Sequence, residues 1–291
     1  MQYRGSMVAM VTPFRGGEFD EDAFRALCEW HIQEGTDALI PCGTTGESVT
    51  LSADESARVI RACVEQVRGR IPVIAGTGGN DTRVTIEKTK QAKALGADAV
   101  LLVTPYYNKP TQDGLIAHYA AIAKDAPIDQ ILYNVPGRTC DNMLPETVAR
   151  AAEQIPEIKG IKDATADMIV GAQLLQRCGE RIAILSGDDF TALPLWALGG
   201  HGLISVAANC APGLLARLWD AWDAGHLAEA RRLHFKMLPL AHSLFVETNP
   251  IPVKWAVHSL GKITDELRMP MTVLSAPLRE RVVRSLAEAT A

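Results

Sequence analysis

Few residues in this chain have chemistry beyond packing, and they sit in short segments. IKGIKDA (158–164) carries two lysines three positions apart. Read as a strand, a period of two sends Ile158, Gly160 and Lys162 to one face and Lys159, Ile161 and Asp163 to the other. Lys159, at the N-terminal end, is expected to snorkel outward. Lys162, at the C-terminal end, is expected to stand where a substrate can reach it. Burial disfavours an ammonium, and lysines that form Schiff bases with carbonyl compounds need a desolvated amine. A strand-end lysine also reads as the partner of Asp163 or Asp188. Tyr133, which opens YNVPGRT (133–139) at the matching end of the neighbouring strand, favours amine chemistry, because a phenol within reach can shuttle protons as a carbinolamine forms and dehydrates. In GTTGES (43–48), Thr44 and Thr45 place two hydroxyls and backbone N–H groups between glycines. That arrangement suits a carboxylate held by hydrogen bonds; an ordinary loop is the alternative.

Such segments need a frame that gathers strand ends. Apolar strand-like runs alternate with helical periodicity from residue 6 onward. Strands are expected at 6–14, 37–43, 72–78, 99–106, 130–136, 158–164, 182–187 and 202–207, each followed by a helix, the eighth at about 212–223. Ser52 and Glu55 form a capping box, and Gly35 sits just past the end of the first helix. Eight units of this kind predict an α/β fold, a (β/α)8 TIM barrel with additional C-terminal helices. A doubly wound open sheet would carry a nucleotide fingerprint in its first turn, and TPFRGGEFD (12–20) has none. GTGGND (76–81) satisfies no phosphate motif and reads as a tight turn. The barrel is expected over 1–225 and a helical extension over 226–291, with Leu227, Ala230, His234, Met237, Ala241 and Leu244 on one helix face. Catalytic groups of a barrel lie at the C-terminal strand ends, which is where GTTGES, Tyr133 and Lys162 fall.

The totals exclude other classes. A net charge of −5 without a basic stripe argues against nucleic acid. No apolar run is long enough to span a bilayer, and the N-terminal residues lack a secretory pattern. The six cysteines are scattered and the seven histidines are not clustered, so a reducing cytoplasm, no disulfide framework and no metal are expected.

Together GTTGES, YNVPGRT, GIKDA (160–164) and ETNPIPVKWA (247–256) closely resemble the 4-hydroxy-tetrahydrodipicolinate synthase (dihydrodipicolinate synthase) family of class I, Schiff-base-forming, pyruvate-dependent aldolases. The resemblance runs in order over essentially the whole chain. It implies that Lys162 attacks the ketone of pyruvate to form the imine, and that Thr44 and Thr45 bind the pyruvate carboxylate. Tyr133, Thr45 and Tyr107 would relay protons, Tyr107 being lent by a neighbouring subunit. Arg138 would hold the carboxylate of L-aspartate 4-semialdehyde, a role for which a guanidinium fork is suited. Gly187 and the Ile204 carbonyl would line the floor. No cofactor or metal is implied, and the assembly would be a homotetramer built as a dimer of dimers. Ser48, Asn80 and Tyr106 match positions of an allosteric lysine site. Ala53, Ser56 and Val84 stand where strongly lysine-sensitive members carry histidines and a glutamate, so weak or absent lysine feedback is expected. The alternatives are a sibling aldolase, such as N-acetylneuraminate lyase or a 2-keto-3-deoxy sugar acid aldolase, and a non-catalytic ligand-binding barrel. GTTGE in place of GSTGE, together with Arg138, argues against the sibling enzymes.

Overall fold

Short apolar runs closed by turn residues form eight strands: β1 (Gly5–Ala9), β2 (Ala38–Ile40), β3 (Ile74–Gly76), β4 (Ala99–Val103), β5 (Asp129–Asn134), β6 (Ile158–Asp163), β7 (Ala183–Ser186) and β8 (Gly202–Ser205). The computed structural model describes residues 2–291. The strands make one sheet in the order β2-β1-β8-β7-β6-β5-β4-β3, and the registered pairs are parallel. A further parallel bridge, Leu39 to Val73, brings the two ends of that order together. This is the expected (β/α)8 barrel. Its strands are buried almost throughout, since helices cover a parallel sheet and leave no wet face for polar alternation.

By contact density the chain falls into two compact units. One comprises residues 2–4 and 74–204. It carries β3 to β7 and most of β8, with helices Thr82–Ala94, Gln112–Asp125, Pro145–Gln154, Met168–Cys178 and Ala192–Ala197 between them. Its register sets the strand ends side by side: Val103 pairs with Tyr133, Tyr133 with Lys162 and Lys162 with Leu185.

The other unit comprises residues 5–73 and 205–291. It contains β1 and β2, helices Glu21–Gln33, Ala53–Val67 and Pro212–Asp223, and the C-terminal helices Leu227–Ser243, Ile251–Ser259 and Ala276–Thr290. The capping box forms as expected, Ser52 and Glu55 each bonding the other's backbone N–H. Gly35 takes the left-handed conformation past the first helix. The first strand is shorter than its apolar run. It stops at Ala9, and Phe14–Arg15 pairs antiparallel with Glu18–Phe19. Gly16 and Gly17, both at positive φ, make the turn that the apolar count overrode. On the helix Leu227–Ser243, Ala230, His234, Met237 and Ala241 are buried as expected, whereas Leu227, in its first turn, is exposed.

Helix Glu21–Gln33 buries Phe24, Leu27, Cys28 and His31. Desolvation pushes the His31 pKa down to about 3, Lys262 adding a smaller push in the same direction. The unfolded chain therefore takes up a proton below about pH 6.5 that the folded chain refuses, and stability falls as pH drops from there toward 3. Between pH 7 and 5 His31 alone is expected to cost about 2 kcal/mol. Urea unfolding across that range should show a shallower loss in His31→Leu than in the parent chain. Equal slopes would assign the acid sensitivity elsewhere.

Candidate active site

The two lysines of β6 part company as the strand period requires. Lys159 is exposed, and its ammonium donates to the Pro156 carbonyl at 2.8 Å. Lys162 is only 4% exposed. Its Nζ stands 4.4 Å from the centroid of the Tyr133 ring, in register across the β5–β6 ladder. The carboxylates that offered an ordinary ion pair are engaged elsewhere. Asp163 accepts from the Thr165 hydroxyl at 2.9 Å, and burial pushes its pKa up to about 6. Asp188 accepts from the Thr191 N–H and hydroxyl at 3.0 and 2.8 Å.

Gly187 follows β7, its N–H donating to the Asp163 carbonyl. A Cβ there would lie 2.9 Å from Lys162 Cε and 3.0 Å from its Cγ. With the Ala164 Cβ closer still, at 2.7 Å, the missing side chain is space that Ala164 and the Lys162 stem already fill, a reason for glycine that the sequence alone did not supply. Ile204, on β8, is fully buried.

The loop after β4 is tethered to the residues after β5. The Thr104 N–H donates to the Tyr133 carbonyl at 2.9 Å, and the Tyr107 N–H to the Thr139 carbonyl at 3.3 Å. Tyr107 sits at φ +77 with 87% of its surface exposed, so its backbone is held while its ring projects. Arg138 is exposed on the one-turn helix Pro136–Thr139. Asn80 donates to the Tyr106 carbonyl at 3.1 Å, which joins two of the three residues matched to a lysine site. Gly78, in GTGGND, packs against β4, where a Cβ would lie 2.4 Å from the Val103 nitrogen; a tight turn accounts for it.

GTTGES forms a compact loop that follows Cys42 and includes Glu47, two non-glycine residues at positive φ. Gly46 and Glu47 donate to the Gly43 and Thr44 carbonyls, both at 3.1 Å, and Thr12 donates to the Gly46 carbonyl at 2.8 Å. Thr44 is half-buried. Thr45 is 2% exposed, and its hydroxyl accepts from Asn249 Nδ2 at 3.0 Å. Glu47 is buried and paired with Lys254, Nζ to Oε1 at 2.7 Å, while the Arg268 N–H donates to its other oxygen at 2.9 Å. Burial pushes the Lys254 pKa down and Glu47 pulls it back up. Ser48 begins the 3-10 turn Ser48–Thr50. Sequence reasoning singled out neither Asn249, Glu47 nor Lys254. The signal was a lysine inside NPIPVKWAV, where an unpaired charge has no place in an apolar run.

Among the described residues no group of three or more His, Cys, Asp or Glu side chains is placed to hold a metal ion, and no helix is long and apolar enough to cross a membrane.

The model of the Dihydrodipicolinate synthetase family matches residues 2–289. The chain belongs to that family. It is 55% identical over 287 residues to the 4-hydroxy-tetrahydrodipicolinate synthase of Thermodesulfovibrio yellowstonii, covering 99% of this chain and 98% of the relative. Among solved structures of the family, dihydrodipicolinate synthase from Thermotoga maritima superposes with a TM-score of 0.97 at 42% identity, over 99% of both chains. The chloride-inhibited dihydrodipicolinate synthase from Acinetobacter baumannii, complexed with pyruvate, superposes with a TM-score of 0.96 at 48% identity, over 98% of both. The chain is thus a member of a family of lyases, and it brings Lys162 and Tyr133 together at adjacent strand ends.

Proposed function

We propose that the chain is a 4-hydroxy-tetrahydrodipicolinate synthase, a lyase of lysine and diaminopimelate biosynthesis that condenses pyruvate with L-aspartate 4-semialdehyde. The observation that carries the mechanism is the buried amine of Lys162 over the Tyr133 ring, in a chain whose family is fixed. Lys162 Nζ adds to the pyruvate ketone, and the carbinolamine loses water to give the imine. Tyr133 supplies and recovers the protons, passing them through the Thr45 hydroxyl and Tyr107. Loss of a methyl proton gives the enamine, whose carbon adds to the aldehyde. The substrate amine then displaces Lys162 as the ring closes, which frees the enzyme. Thr44 and Thr45 hold the pyruvate carboxylate, Gly187 and the Ile204 carbonyl line the floor, and Arg138 receives the carboxylate of the aldehyde substrate.

The exposed ring of Tyr107 is free to be lent to a neighbouring subunit, and the assembly in this reading is a homotetramer in the cytoplasm. The test is turnover: pyruvate with aspartate semialdehyde, followed by reduction of the product with a coupling reductase, against pyruvate with sugar aldehydes. Activity with the semialdehyde alone is the expected result. Preference for a sugar aldehyde would reassign the chain to a sibling aldolase.

A further inference from the structure

The GTTGES loop is finished by residues that lie more than two hundred positions away. Asn249, just before helix Ile251–Ser259, gives its side-chain amide to Thr45 Oγ1. From that helix Lys254, with 0% exposure, reaches the Glu47 carboxylate and stands 4.4 Å from the Phe14 ring centroid. Arg268 gives its N–H to Glu47 and one guanidinium nitrogen to the Thr50 carbonyl at 2.9 Å. Glu47 holds a left-handed backbone without being glycine, a conformation that persists only where surrounding contacts impose it. The C-terminal segment therefore holds the loop's shape together with the loop's own turn bonds and Thr12.

A hydroxyl has one proton to give and two lone pairs to offer. At Thr45 one lone pair is taken by Asn249. Its proton is thereby directed away from Asn249, toward whatever the loop binds.

We infer that Asn249 is a positioning residue for the reaction: its amide fixes the Thr45 hydroxyl as a donor, so the C-terminal helical segment sets the affinity for the keto-acid carboxylate. The inference rests on the proposed pyruvate chemistry. Asn249→Asp keeps the shape but replaces the donor with an acceptor, which draws the Thr45 proton to itself. Asn249→Ser shortens the side chain and serves as a second variant should the first fold poorly.

The experiment is steady-state kinetics of both variants, each also built on Thr45→Val, with unfolding midpoints and borohydride trapping of pyruvate measured in parallel. The expected result is a loss of about tenfold in kcat/KM for pyruvate, the scale of one net hydrogen bond. The KM for the aldehyde should hold, and the pyruvate adduct on Lys162 should persist at saturation. On Thr45→Val the Asn249 substitutions should cost nothing further, as they act through the same hydroxyl. An unchanged kcat/KM with a lowered unfolding midpoint would overturn the inference, as would an equal loss on both backgrounds. Absence of an adduct in the parent chain would instead defeat the Schiff-base reading itself.

Discussion

Lys162→Ala is expected to yield no pyruvate adduct after borohydride reduction and to lose activity by about 10³-fold or more, as removal of a covalent nucleophile does. The substitution deletes the amine at the Tyr133 ring while leaving the β5–β6 ladder, which is built from backbone, in place. Lys162→Arg is the sharper variant. It keeps a long nitrogen-bearing side chain near Tyr133, but a guanidinium does not add to a ketone, and its bulk must fit where Gly187 leaves room for a lysine stem. Both variants should fold, since loss of a side chain that makes no ion pair with Asp163 or Asp188 strands neither carboxylate. Intact-mass analysis after borohydride and pyruvate reads the result directly. An adduct that survives in Lys162→Ala would place the nucleophile elsewhere and overturn the mechanism.

Lys254→Met is expected to destabilise the chain by about 3–5 kcal/mol, the cost of leaving one partner of a buried ion pair without the other. Both charges are nearly or wholly shielded from water, with side-chain exposures of 0% and 3%, so the Glu47 carboxylate would have no solvent to fall back on. Adding Glu47→Gln to Lys254→Met should recover a large part of the loss. The amide removes the stranded charge and keeps an oxygen for the Arg268 N–H. Denaturant midpoints at neutral pH check both variants. A loss below about 1 kcal/mol in the single variant would show that the site relaxes or admits water.

Much of this molecule was legible in the residues. The alternation of apolar runs and helical stripes gave eight strands and their helices, because a buried parallel sheet leaves no other pattern. The separation of Lys159 from Lys162 followed from the strand period and from their places at opposite ends of the strand, since Ile161 and Asp163, on the face of Lys159, are buried as well. The tight hairpin at Gly16 and Gly17 was obscured by the apolar residues before it, since hydrophobicity does not say where a run turns. The role of Gly187 was hidden for a different reason: the space a glycine leaves is visible only once the Lys162 stem is placed in it. Asn249, Glu47 and Lys254 escaped because their meaning is relational. A buried lysine announces a need for an acid, but nothing local tells which of the 34 acidic residues, 207 positions away, will answer it.

That separation also sets an order of events during synthesis. The loop carrying Thr45 leaves the ribosome early, yet its fastenings arrive only with Asn249, Lys254 and Arg268. Contacts spanning most of a chain form late, after the entropy of closing so long a loop has been overcome. A nascent chain that already holds Tyr133 and Lys162 on adjacent strands therefore lacks a finished Thr45 loop until translation has passed Arg268. The hydrogen bonds that finish the Thr45 loop are thus supplied by residues made more than two hundred positions after it.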